Sequence, residues 1–199
     1  MRDPSLSFGW REHRAPTSVK PRSLARRTFH PLRLPRSSVA THVLTADLFV
    51  PLPRERVFAF FADAENLERI TPPELRFRIL TPRPVPIHTG AIIDYRLSLH
   101  GLPFHWKTLI TAWEPPTRFA DTQERGPYAK WVHTHEFEDG DGGTHIRDRV
   151  EYALPLAPLS NVALPIVKRQ LRRIFTYRQE ACARGLGVDP SLTRGSLSV

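Results

Sequence analysis

The sequence predicts an α+β fold: a curved antiparallel β-sheet wrapped around one long C-terminal α-helix, with two short helices after the first strand. Three observations carry this. Alternating apolar and polar runs recur at roughly 8–12-residue spacing with turn residues between them, as in an antiparallel meander. One apolar stripe at helical spacing runs from Leu159 to Phe175. A short helical segment opened by proline separates the first strand from the rest.

Val43–Val50 is apolar and β-branched, and Pro51 and Pro53 break it. Pro53 suits a first helical turn, where a missing N–H costs nothing, and Val57, Phe58, Phe60 and Phe61 follow at helical spacing. A second short helix is expected over Ala64–Ile70, stopped by Pro72 and Pro73. Leu75–Leu80 reads as a strand. In Ala91–Leu99, Ile93, Tyr95, Leu97 and Leu99 share one face. In Phe104–Trp113, Trp106, Thr108 and Ile110 share one face and Lys107 takes the other. Pro115 and Pro116 turn the chain into Arg118–Gln123. Tyr128–Glu138 and Thr144–Leu154 flank Asp139-Gly-Asp-Gly-Gly143, a strong hairpin signal. In the final helix Leu159, Val162, Ala163, Ile166, Val167, Leu171, Ile174 and Phe175 form the stripe. Lys168, Arg169, Arg172 and Arg173 lie mainly opposite it. Pro165 either starts the regular part or kinks it. Gly185 and Gly187 supply a stop.

The chain has 199 residues, 40% of them hydrophobic and 25% charged, enough for a packed core. Charges or prolines interrupt every apolar run before it reaches membrane-spanning length. One cysteine, Cys182, excludes an intrachain disulfide framework and a cysteine-based zinc site. A cytoplasmic location is expected. The net charge of +9 is uneven: residues 1–42 carry +7, the remaining 157 only +2. A nucleic-acid-binding domain should hold its basic excess on the folded part, so no specific nucleic acid is expected. Three segments follow: a basic disordered N-terminal tail over residues 1–42, a folded domain over 43–187, and a disordered C-terminal tail over 188–199. Weak contact of residues 1–42 with a membrane surface or a polyanion stays open.

Several stretches carry a family likeness. Pro53-Arg-Glu-Arg-Val57-Phe58 opens the first helix, Ala62-Asp-Ala-Glu-Asn-Leu67 lies in the second, and Ala112-Trp-Glu-Pro-Pro-Thr-Arg-Phe119 links two strands. Gly126-Pro-Tyr-Ala-Lys-Trp131-Val-His133-Thr-His135-Glu-Phe137 and Asp148-Arg-Val-Glu-Tyr152 follow. In this order they resemble the START-like helix-grip superfamily, also called SRPBCC, and within it a bacterial polyketide cyclase/dehydrase-type subgroup. The likeness covers about residues 43–185. It implies that the folded domain is a START-like ligand-binding domain with a cavity between helix and sheet. The superfamily spans binders, carriers and enzymes, so the fold does not settle function.

The alternation of the last hairpin sets what faces that cavity. Trp131, His133, His135 and Phe137 share one face, and Ile146, Asp148, Val150 and Tyr152 share a face of the partner strand. Matching the two apolar sets pairs Phe137 with Ile146, His135 with Asp148 and His133 with Val150. A slip of one residue would bury Arg147 and Arg149 instead. Three readings of the His135–Asp148 pair stay open. The aspartate satisfies a buried histidine; or it orients His135 as a general acid or base for cyclisation or dehydration; or His133 and His135 bind a metal. Spacing marks no third ligand, so no metal and no cofactor is expected.

Tyr95, Trp106, Trp131, His133, Phe137 and Tyr152 are the candidate ligand-binding residues, and His135 with Asp148 the candidate catalytic pair. The leading expectation is binding of a small hydrophobic molecule: a lipid, a quinone or an aromatic polyketide-like compound. The alternative is a cyclase/dehydratase-type enzyme using His135 and Asp148. Serine-hydrolase, P-loop and dinucleotide signatures are absent from the sequence. Deleting residues 1–40 should leave the melting temperature unchanged in a thermal scan. A large drop would place the tail in the core.

Overall fold

The computed structural model describes residues 40–99, 101–156 and 162–199. Most of the basic N-terminal segment, and Leu159 of the helix stripe, lie outside the described residues. The elements run β1 (His42–Val50), α1 (Arg54–Ala62), α2 (Asn66–Arg69), β2 (Arg78–Ile79), β3 (Ile92–Leu99), β4 (Leu102–Glu114), β5 (Arg118–Arg125), β6 (Lys130–Gly140), β7 (Gly143–Ala153), α3 (Leu164–Gly185) and β8 (Arg194–Ser198). The strands form one antiparallel sheet in the order β2-β3-β4-β5-β6-β7-β1-β8. Register shifts between β4 and β5, at Lys107/Thr108 and Ile110/Ala112, interrupt the ladder where the sheet bends.

Each strand buries one face because its sequence alternates. Ile93, Tyr95 and Leu97 of β3 and Trp106, Thr108 and Ile110 of β4 are buried. The β6–β7 hairpin closes through Asp141 and Gly142, with φ of 54° and 79°. Two central residues at positive φ make the tight turn that matches strand twist. Pairing runs Phe137↔Ile146, His135↔Asp148 and His133↔Val150, the register that the alternation demands.

Helix α3 begins at Leu164 with Pro165 in its first turn, so the proline starts the helix and does not kink it. Leu171, Phe175 and Cys182 face the sheet and are buried. The stripe does not bury along its whole length: Ile166 is 58% and Val162 85% exposed, at and before the helix start. Leu44, Ala46, Val150, Tyr152, Leu171 and Phe175 pack together where β1, β7 and α3 meet. Val50, Val57, Phe58, Phe119, Phe137 and Ile146 pack beneath α1.

Three local expectations are corrected. The strand expected over Leu75–Leu80 shrinks to two residues, because a 3-10 turn at Pro73–Leu75 ends in Arg76 at φ 46°. The second helix is only Asn66–Arg69. Residues 188–199, expected to be disordered, contain β8, paired with β1 from Thr45↔Ser198 to Phe49↔Arg194. Gln179 Nε2 donates to Ser196 O at 3.0 Å and to Asp47 O at 2.9 Å, tying helix, β8 and β1 together. A strand on the open edge of β1 gains its ladder bonds without needing an apolar pattern of its own.

The C-terminus of α3 closes through Gly187, at φ 74°. Val188 N–H donates to Ala183 O at 2.9 Å and Gly187 N–H to Arg184 O at 3.1 Å. That pair of bonds is a Schellman motif, which places its left-handed residue at the glycine. A Cβ at Gly187 meets nothing within 4 Å, so the cost of adding one is conformational alone. Gly187→Ala should therefore destabilise by about 1–2 kcal/mol, read as a fall of several degrees in Tm.

Candidate functional site

The curved sheet and α3 do not touch along their full length, and a cavity of about 160 Å³ remains between them. Its walls are mostly apolar, with Ile93, Leu97, Trp106, Tyr128, Trp131 and Phe175 prominent. Asp121, His133, His135 and Arg178 form one polar cluster in its wall, and Asp63, Asn66, Thr71 and Thr108, which also line it, already take part in hydrogen bonds within the protein. Strands β5 and β6 supply the first three, and Asp121 pairs directly across from His133. Helix α3 supplies Arg178, one turn beyond Ile174, and its buried Nε has no hydrogen-bond partner.

Asp148 sits behind the two imidazoles and touches both. Its Oδ1 lies 3.1 Å from His133 Nε2, a hydrogen bond, and 2.6 Å from His135 Nδ1. The second approach is close but bent, so Nδ1 lacks an in-line hydrogen-bond partner. An ionised carboxylate can only accept, so the ring nitrogens facing it carry the protons. The other nitrogens, His133 Nδ1 and His135 Nε2, each stand 3.9 Å from Asp121 Oδ2. Both spacings exceed hydrogen-bond reach. The imidazoles lie against each other with centroids 3.8 Å apart, and Phe119 stacks on His135 at 4.1 Å.

Burial governs the protonation of this cluster. It pushes His133 down to about 3, helped by the neighbouring charge on His135 and opposed by the Asp148 hydrogen bond, so the ring is neutral near pH 7. Burial pushes the Asp121 carboxyl up to about 6, while the charges of His135 and Arg178 pull it down. Burial would also raise Asp148, but the interaction with His135 and the hydrogen bond from His133 outweigh it. They hold that carboxyl well below the ordinary range.

The expected site residues divide. Tyr95, Trp106, Trp131, His133 and His135 line the cavity. Phe137 does not: it packs against Phe58 and Phe61 with ring centroids at 5.2 and 5.3 Å, inside the core. Tyr152 does not either, being fully buried against His42 and Tyr128. Both share the inward face, but that face is longer than the cavity, and core fills its two ends. The polar tips of Tyr95 and Trp106 are already used, since each lies 3.1 Å from Thr108 Oγ1. Those rings give the cavity its shape, and their polar atoms are held within the sheet.

Asp121 and Arg178 had not been singled out from the sequence. A signal exists for each. Period two from buried Phe119 puts Asp121 on the inner face. Arg178 falls at helical spacing with Leu171, Phe175 and Cys182, a charge on an apolar stripe. Cys182 is a buried thiol whose pKa burial pushes up to about 12, which makes it inert packing.

Residues 50–177 match the model of a family described as polyketide cyclase / dehydrase and lipid transport, and the chain belongs to that family. Its fold is the START-like helix-grip fold. The Zhui aromatase/cyclase from a Streptomyces species superposes with a TM-score of 0.61 at 15% identity, over 74% of this chain and 94% of that one. The protein TTHA0849 from Thermus thermophilus gives 0.58 at 15% identity, over 73% and 97%. Major latex-like protein 151 from Panax ginseng gives 0.52 at 12%, over 73% and 98%. Identities this low establish the fold alone. No curated protein matches the sequence. No helix among the described residues is long and apolar enough to cross a membrane.

The two carboxylates give opposite pH signatures. Asp148 is depressed by folding, so its contribution is complete above about pH 4, the unfolded value, and drains away below it. Asp121 is raised by folding, so its contribution grows as the pH falls through about 6. Asp148→Asn should cost about 1–3 kcal/mol near neutrality, because it removes the charged acceptor that both buried imidazoles face. It should also flatten the loss of stability below pH 4. Urea unfolding at a series of pH values checks both.

Proposed function

We propose that this chain encloses a small, ring-shaped and mostly apolar molecule that carries one oxygen-bearing group. The carrying observation is the aromatic wall beside the buried cluster of Asp121, His133, His135 and Arg178. Apolar burial supplies the affinity, and the unpartnered Arg178 Nε supplies a donor for a carbonyl, phenolate or carboxylate oxygen. The volume bears on the size of the occupant. A protein cavity of roughly 150 Å³ takes benzene, so ≈160 Å³ favours one or two rings over a long acyl chain. Among the expected classes, quinones and aromatic polyketide-like compounds fit this better than lipids.

Leu75 and Ile174 line both the cavity and an adjoining surface groove bounded by Glu74, Arg169 and Arg173. Arg173 Nη2 and Glu74 Oε1 lie 3.2 Å apart there, bridging α3 and the turn before β2. This is the route we assign to ligand entry.

A second reading is favoured by one observation. His135 presents Nε2 toward the cavity while Asp148 holds Nδ1 from behind, the arrangement of an oriented general acid or base. On this reading the chain performs proton transfer beside a carbonyl, in a cyclisation or dehydration.

Tryptophan fluorescence, titrated with a panel of quinones, aromatic acids and fatty acids, tests the binding reading. Saturable quenching by one- or two-ring compounds is expected, and none by any class would sink it. Arg178→Ala should weaken aromatic acids roughly 10–100-fold, the loss of a charge-assisted hydrogen bond, and leave neutral rings nearly unaffected. His135→Ala discriminates the second reading: an enzyme loses turnover with little change in affinity, whereas a pure binder shows no turnover to lose.

A further inference from the structure

We propose that Asp121, His133 and His135 form a binding site for one divalent transition-metal ion, with its open side toward the cavity. One donor atom from each residue lies within 4.8 Å of the others. The spacing His133-Thr134-His135 puts both imidazoles on one face of β6, and the third donor comes from β5, paired across from His133. That neighbouring-strand residue is what a reading along β6 alone cannot supply.

The orientation of the rings carries the argument. Asp148 Oδ1 holds His133 by Nε2 and His135 by Nδ1, so it fixes both rings from the side away from Asp121. A carboxylate behind a histidine, setting its tautomer and aiming its second nitrogen, is the recurrent support of metal-bound imidazole. Here one carboxylate does this for two rings. The nitrogens left over both face Asp121 Oδ2, each at 3.9 Å. With Asp148 taking the protonated nitrogens, this is a cluster of lone pairs around one carboxylate oxygen, in surroundings where both imidazoles are buried. No proton can bridge 3.9 Å as a hydrogen bond.

A metal ion can. Zinc holds nitrogen and carboxylate oxygen at about 2.0–2.2 Å in a tetrahedron, which sets neighbouring donors roughly 3.4 Å apart. The two oxygen–nitrogen spacings need about half an ångström of closure, and the two nitrogens, within 4.8 Å of each other, need at most about 1.4 Å, which side-chain rotations supply. Two imidazoles and one carboxylate form the donor set of open three-ligand sites for zinc and iron(II). The three donors stand on the sheet side, so the remaining coordination positions point into the cavity.

The test uses the full chain, stripped with a chelator and titrated with Zn²⁺ alone. The expected result is saturable binding of one ion per chain in calorimetry. Zn²⁺ should shift the imidazole resonances of His133 and His135 and leave those of exposed His88 and His105 in place. Asp121→Asn, nearly isosteric, should lose at least 100-fold in affinity, and Asp148→Asn roughly 10–100-fold, with folding checked by circular dichroism. Binding weaker than millimolar, binding unchanged by Asp121→Asn, or shifts confined to surface histidines would each overturn the proposal. If both variants unfold, the wild-type resonances still decide. No organic molecule enters the titration, so a failure of the cavity-ligand reading leaves this result untouched, and the reverse holds as well.

Discussion

A carboxylate inside an apolar sheet must be paired or give up its charge. Asp148 is paired twice, with His133 and His135 of the adjacent strand. Much else follows from that contact. It fixes the hairpin register, because a slip of one residue would exchange Asp148 and its apolar neighbours for Arg147 and Arg149 on the inner face. It fixes the direction of both imidazoles, and through them the chemistry presented to the cavity. It also explains why this part of the sheet is not simply filled with aliphatic side chains: the polar cluster needs space on its far side, and Asp121 and Arg178 define that space.

The cavity itself is a consequence of curvature. The irregular ladder between β4 and β5 adds to the curvature of the sheet over the helix. At one end, under α1, the aromatic side chains of Phe58, Phe119 and Phe137 pack against one another. In the middle, Trp106 and Trp131 meet edge-on at 5.3 Å and leave a hollow beside them. Tyr95 and Trp106 are both held through Thr108.

The parts of this architecture that were legible in the sequence are those with a short, unbroken period. The β6–β7 hairpin alternates without interruption on both sides of an unambiguous turn, so its register and the His135–Asp148 pair could be read directly. The final helix could be read from its stripe. Less legible was everything decided by a neighbour out of register. Asp121 sits on a strand whose partner is bulged, and its approach to two histidines is a property of three strands together. Arg178 looks like one more charge on a basic helix until the sheet curves toward it. Phe137 and Tyr152 share an inner face with the histidines, but alternation cannot say where along that face the hollow stops. Strand β8 has no apolar rhythm because what holds it is the exposed flank of β1.

That last strand has an effect beyond its own five residues. A protein dominated by one open sheet is at risk of zippering to its copies along a rim of unsatisfied backbone. Here β1, nine residues long and largely apolar, would be such a rim, and the chain covers it with a brief ribbon of serine, glycine and arginine. The opposite rim is β2, only two residues long. Among the described residues, one border is thus a short polar strand and the other ends in a two-residue strand, both features that work against sheet-to-sheet polymerisation.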